Sequence, residues 1–131
     1  MFFEVKYKLK KTEGVKIADM QKTNALVLGI VLGIVGIWGL FSETIIVFGV
    51  NIIQSILHLI AAAVGIYAWA KGDGMSFNMI IGYVGVVLGV IGFIPGIKDI
   101  LLNLLNINTA TSILHLVIGA LCLWVYYMYR K

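Results

Sequence analysis

The stretch Asn51-Ile52-Ile53-Gln54-Ser55-Ile56-Leu57-His58-Leu59 returns, respelled, as Asn108-Thr109-Ala110-Thr111-Ser112-Ile113-Leu114-His115-Leu116. Each copy opens a long apolar run and sets Asn seven residues, and Ser three residues, ahead of a His. Spacings of three, four and seven place such residues on one stripe of a helix. The first stripe gathers Asn51, Gln54, Ser55, His58, Ala62 and Gly65; the second gathers Asn108, Thr111, Ser112, His115, Gly119 and Cys122. Polar and small stripes on apolar helices avoid lipid, so both are expected to face a bundle interior as a polar network.

Composition fixes the solvent. Of 131 residues, 61% are hydrophobic and 12% charged, whereas soluble domains carry about 25% charged residues. The chain therefore reads as an all-α membrane protein of one domain. A lone Cys122 excludes an intramolecular disulfide, and no Cys/His cluster has zinc-site spacing.

Four apolar runs reach the length that hydrocarbon requires: residues 25–41, 51–70, 77–94 and 109–128. They form a transmembrane domain over 25–129, preceded by a basic tail over 1–24. Four spans put both ends on one side. Nine positive charges (six in the tail, Lys71, Arg130 and Lys131) flank that side and only Lys98 the other, so both termini are expected in the cytoplasm of a multi-pass plasma-membrane protein. Trp69, Trp124, Tyr126, Tyr127 and Tyr129 are placed as an interfacial belt at the same boundary. The net charge of +4 is then explained by juxtamembrane lysines meeting anionic lipid, without nucleic acid.

Within the tail, Phe3, Val5, Tyr7 and Leu9 alternate with Glu4, Lys6, Lys8 and Lys10, which is the period of a strand. An extended segment of that kind either pairs with a partner's edge, lies on the membrane surface or stays mobile. Thr12 to Asn24 reads as a short interfacial helix. Between Pro95 and Asn108, Ile97, Ile100, Leu101, Leu104 and Leu105 recur at helical spacing opposite Lys98, Asp99, Asn103 and Asn106, predicting a short interfacial amphipathic helix before the fourth span. Its counterpart, Glu43 to Val50, is more apolar. Ser76 offers an N-cap for the third span after the turn at 71–76.

The first and third spans also echo one another, Gly29, Gly33 and Gly36 matching Gly85, Gly89 and Gly92 at an offset of 56, while the His helices match at 57. Each unit is thus a hairpin, a glycine helix out and a His helix back. Two such hairpins in tandem share one orientation, as a parallel repeat about an axis along the membrane normal. The glycines are helix-packing positions. His58 and His115 should lie about 10 Å inward of their Asn residues, level with the glycines of the neighbouring helices.

Three uses of the imidazoles follow. They are neutral and hydrogen-bond across the bundle; they ligate one haem b from two sides; or they bind a metal or relay protons with Glu43 and Asp99, although two imidazoles are few for a closed metal site. No nucleophile and base at a recognised spacing, phosphate loop or intraspan carboxylate is present, so no enzyme activity is expected.

With Asn51, Leu57-His58-Leu59, Asn108, Leu114-His115-Leu116-Val117-Ile118-Gly119 and the glycine helices before them, the chain resembles a family of small bacterial and archaeal four-helix membrane proteins of unknown function. The resemblance covers about residues 25 to 128 and implies the architecture and the importance of the His positions, with no activity, cofactor or metal attached. The functional expectation is a structural or accessory subunit of a membrane complex, its partners being the bilayer and other membrane subunits or itself. The alternative is a bis-His haem b electron carrier.

Overall fold

The computed structural model describes residues 1–129, with the side chains of 12–18 left out; Arg130 and Lys131, two of the positive charges used above, lie outside the described residues. Among those residues are five α-helices and one short hairpin: α1 (Phe2–Gly39), β1 (Thr44–Ile45), β2 (Phe48–Gly49), α2 (Ile52–Lys71), α3 (Met75–Ile91), α4 (Ile97–Leu105) and α5 (Thr109–Met128). Three stretches are long and apolar enough to cross a membrane, Asp19–Gly39, Ile52–Lys71 and Thr109–Met128. The fourth apolar helix, α3, has 17 residues, at the lower limit of the range for spanning helices.

The tail is not a strand. Residues 2–39 form one continuous helix, so the alternation at Phe3 to Lys10 is overruled. Lys, Glu and Leu are good helix formers, and a helix already nucleated by the apolar run elongates at little cost. A strand, in contrast, has no neighbour here to pair with. The helical spacing of four also sets the Lys6 ammonium 4.7 Å from the centre of the Phe2 ring, a pair the extended form would separate.

Both His helices begin at the Asn of the repeated string. The Asn51 side chain accepts from the Gln54 backbone N–H at 2.8 Å and the Asn108 side chain from that of Thr111 at 2.9 Å, each a standard N-cap contact. Helix α3 starts otherwise than its sequence suggests. Gly74, at a φ of 80°, turns the chain in a conformation that glycine tolerates, and the Asp73 carboxylate accepts from the Met75 N–H. Ser76 therefore lies inside the first turn instead of capping it.

The two outer connections differ. The second holds the amphipathic helix α4 with Leu101 buried and Lys98, Asp99 and Asn103 exposed. The first, Glu43 to Val50, is a tight hairpin pairing Thr44 with Gly49 and Ile45 with Phe48, not a more apolar copy of that helix. Asn106, at a φ of 54°, ends α4, a left-handed position at which Asn is enriched.

Packing is closest within two helix pairs, α1 on α2 and α3 on α5, and glycines make it possible. A Cβ at Gly29 would meet the Ala62 carbonyl at 3.1 Å, one at Gly36 the Leu59 side chain at 2.8 Å, and one at Gly89 the Leu116 backbone N at 2.8 Å. Gly85 lies against the His115 carbonyl and the Gly119 Cα, at 2.8 and 2.9 Å from such a Cβ. Gly33 differs, since its nearest neighbour is the Ala62 Cβ at 3.7 Å. Matching contacts also shift the sequence register. Gly36 meets Leu59 as Gly89 meets Leu116, and Gly39 meets Ser55 as Gly92 meets Ser112. The outgoing helices therefore correspond at a spacing of 53, not 56, and the second outer connection is four residues longer, not one.

The surface is inverted relative to a water-soluble bundle. The largest fully buried side chains are Gln21, Asn78, Cys122, Ser55 and Ser112, while Ile34, Ile60 and Val117 are more than half exposed. Apolar outside and polar inside is what lipid selects, because the bilayer satisfies no hydrogen bond.

Gly85→Ala is expected to destabilise the protein by about 1–3 kcal/mol, because the added methyl group meets backbone that cannot rotate away. Gly33→Ala should be within about 0.5 kcal/mol of the parent. Thermal unfolding of both variants in one detergent checks the contrast.

Candidate functional site

The buried polar groups lie in three layers along the bundle. The middle layer holds the histidines. His58 on α2 and His115 on α5 face one another with ring centres 6.3 Å apart and planes inclined by 53°. Nδ1 of each ring is buried without a hydrogen-bond partner, as are the hydroxyls of Ser55 and Ser112 and Oε1 of Gln54. Both rings border a cavity of about 310 Å³ that lies between the two helix pairs, with Leu32, Leu88, Ala61 and Ile118 among its walls. The proton of a neutral imidazole avoids a nitrogen that has no acceptor, since a buried unmatched donor is costly. Neither ring finds an acceptor at Nδ1, so an N–H there goes unmatched.

The inner layer was not anticipated from the sequence. Gln21 on α1 donates to the Val125 and Tyr126 carbonyls at 3.1 and 3.2 Å. Asn78 on α3 donates to Gln21 Oε1 at 2.6 Å and to its carbonyl at 3.1 Å, and Asn24 donates to Asn78 Oδ1 at 2.6 Å. Asn24 also approaches the Cys122 sulfur at 3.7 Å. These bonds join the first helix pair to the second at this end of the bundle. The available signal was the presence of single amides, Asn24 and Asn78, at the same end of two apolar runs. Neither belongs to the repeated string.

The outer layer ties the two unlike connections together. Asn106 donates to the Glu43 and Val50 carbonyls, Asn108 to Val47, and Thr111 to Gly49. In the reverse direction, Asn51 and Gln54 donate to the carbonyls of Leu104 and Leu105. Asn51 and Gln54 thus bond the last backbone carbonyls of α4, and Asn108 and Thr111 the backbone of the hairpin segment, not the side chains of facing helices. Among Asn51, Gln54, Ser55, His58, Asn108, Thr111, Ser112 and His115, the two histidines meet each other across the centre, and Ser55 and Ser112 face the glycines Gly39 and Gly92. Among the described residues, no group of three or more His, Cys, Asp and Glu side chains is placed to hold a metal ion.

A family model for a domain of unknown function, DUF4383, matches residues 21–128. The chain belongs to that family. The DUF4383 match opens at Gln21, the residue that knots the inner layer, and takes in every polar group described above. No curated protein and no solved structure matches the chain. Membership in DUF4383 carries no activity, so the chemistry of the site has to come from its geometry.

Asn78→Ala removes the partner of a fully buried Gln21 side chain, and a loss of about 1 kcal/mol is expected, in line with hydrogen bonds measured inside membrane proteins. The Gln21→Ala and Asn78→Ala pair should show strong coupling in a double-mutant cycle. Additive effects in thermal unfolding would mean that the two amides are not energetically linked.

Proposed function

We propose that the chain is a four-span integral membrane protein, two hairpins in tandem with one orientation, that serves as a structural or accessory subunit of a membrane assembly. In favour of the fourth span, α3 is continued by turn bonds from Gly92, Phe93 and Ile94, which extends its apolar length. In favour of the tandem arrangement, glycine and His-helix contacts recur from one hairpin to the other. The inward position of the repeated spelling then follows from the fold's own repeat and requires no catalytic role, and we read the protein as non-enzymatic.

The observation that carries the subunit reading is the arm. Residues 1–11 are all exposed, with Phe2 at 66%, Phe3 at 84% and Tyr7 at 69%. Aromatic side chains interspersed with Lys6, Lys10 and Lys11 suit a surface that is both apolar and anionic, as at a lipid headgroup boundary or on another membrane subunit. The partner is a second membrane protein or another copy of this chain, and nucleic acid has no part in it. Deleting residues 2–11 should leave membrane insertion intact and abolish association seen by light scattering in mild detergent. A full-length chain that isolates as a lone monomer counts against the reading.

The orientation proposed, both termini cytoplasmic in the plasma membrane, has its own check. In a Cys122→Ser background, Lys98→Cys should react with an impermeant maleimide on intact cells, and Asp73→Cys only after permeabilisation.

Haem b is the second reading, favoured by the ring separation. Metal–nitrogen bonds of about 2 Å on either side hold two imidazole centres about 6 Å apart, close to the 6.3 Å here. Against it, 310 Å³ is near the lower end of small-molecule sites, and a porphyrin would force the hairpins apart. A Soret band in the purified protein, lost in His58→Ala and His115→Ala, would establish the haem reading and displace the purely structural one.

A further inference from the structure

The histidine cavity has walls, an entrance and a polar focus, and together these define a class of occupant. Ring centres 6.3 Å apart are too distant for a direct bond between the imidazoles, which at about 3 Å between nitrogens would bring the centres to about 5 Å. They leave room for one oxygen about 2.9 Å from a ring nitrogen of each imidazole. The site thus brings two imidazoles, each with one N–H to donate when neutral, to the same cavity.

Water alone fills it poorly. A volume of about 310 Å³ holds about ten waters at about 30 Å³ each, and every buried water needs two to four polar partners. Leucine, isoleucine and valine walls supply none. The occupant has an apolar body. Val31, Leu57 and Val84 line the cavity and keep 45%, 52% and 49% of their surface exposed, so an occupant can enter sideways between helices, from lipid. A carboxylate would bring an unpaired charge into this apolar space, at high cost. A neutral carbonyl would not.

We propose that the cavity binds the head group of a bilayer-soluble quinone, one carbonyl oxygen accepting from both His58 and His115 while the tail leaves laterally into lipid. The unpaired Oε1 of Gln54, one helical turn outward of His58, adds an acceptor for the hydroxyl of the reduced quinol. The inference rests on the four-span membrane reading and extends it by giving the histidines a ligand.

The test uses the full chain in lipid nanodiscs with a decyl-substituted benzoquinone. Saturating quinone should raise Tm of the wild type by several degrees. Ala61→Phe, which fills the cavity and spares both imidazoles, should abolish the shift, as should the His58→Leu, His115→Leu double variant. If the double variant does not fold, Ala61→Phe decides alone. Decanol is the control for a tail without a carbonyl. The proposal is overturned by no shift in the wild type, by an equal shift in Ala61→Phe, by an equal shift with decanol, or by haem occupying the purified protein. A chain that never enters the membrane fraction defeats the four-span reading; a chain that inserts and ignores quinone defeats this inference only.

Discussion

The approach of helix backbones at glycine sets the rest of this structure. Where Gly85 lies against the carbonyl of His115 and the Cα of Gly119, α3 and α5 are as near as two helices can come. That contact fixes rotation and height at once, and with them the direction in which the His115 ring points. Gly36 and Gly29 set α1 on α2 by the same means. Two helices that close leave no space between them at that level, and the cavity beside the histidines lies between the pairs. The cavity is the remainder of tight packing elsewhere.

Lipid imposes the second constraint, that amides buried inside must find one another. The chain meets it at the two ends and not in the middle. Gln21, Asn24 and Asn78 close on themselves and on the last turn of α5, while Asn and Gln side chains at the other end take up carbonyls that a hairpin and a short helix would leave bare. Between these satisfied layers lie two imidazoles, two serine hydroxyls and one amide oxygen with unused capacity. Polar groups so disposed are costly as scaffolding alone, which is why the middle layer is the place to look for a ligand.

Much of this was legible in the spelling. Apolar length located the helices, and the repeated string points to the two imidazoles whose ring centres lie 6.3 Å apart on α2 and α5. The same string misled about Asn51 and Asn108, because an N-cap and an inward polar residue share a spacing of seven from His and only backbone geometry separates them. The glycine echo was read one helical turn out of register, since Gly-rich runs align with themselves at several offsets and only cross-helix contacts choose among them. The alternation of Phe3 to Lys10 has the period of a strand, yet a helix arriving from residues downstream settles such a segment. Gln21 and Asn78 escaped notice because their partnership spans 57 residues and belongs to neither repeat.

Helix α1 is unbroken from Phe2 to Gly39, a length of about 57 Å at 1.5 Å per residue. Leu28, Val31, Leu32 and Val35 on its membrane portion form one wall of the cavity, and the exposed arm is the other end of the same rod. No loop stands between them to absorb a displacement. The arm and the cavity wall thus belong to one helix, which Gln21 ties to α3 and α5 at a point between them.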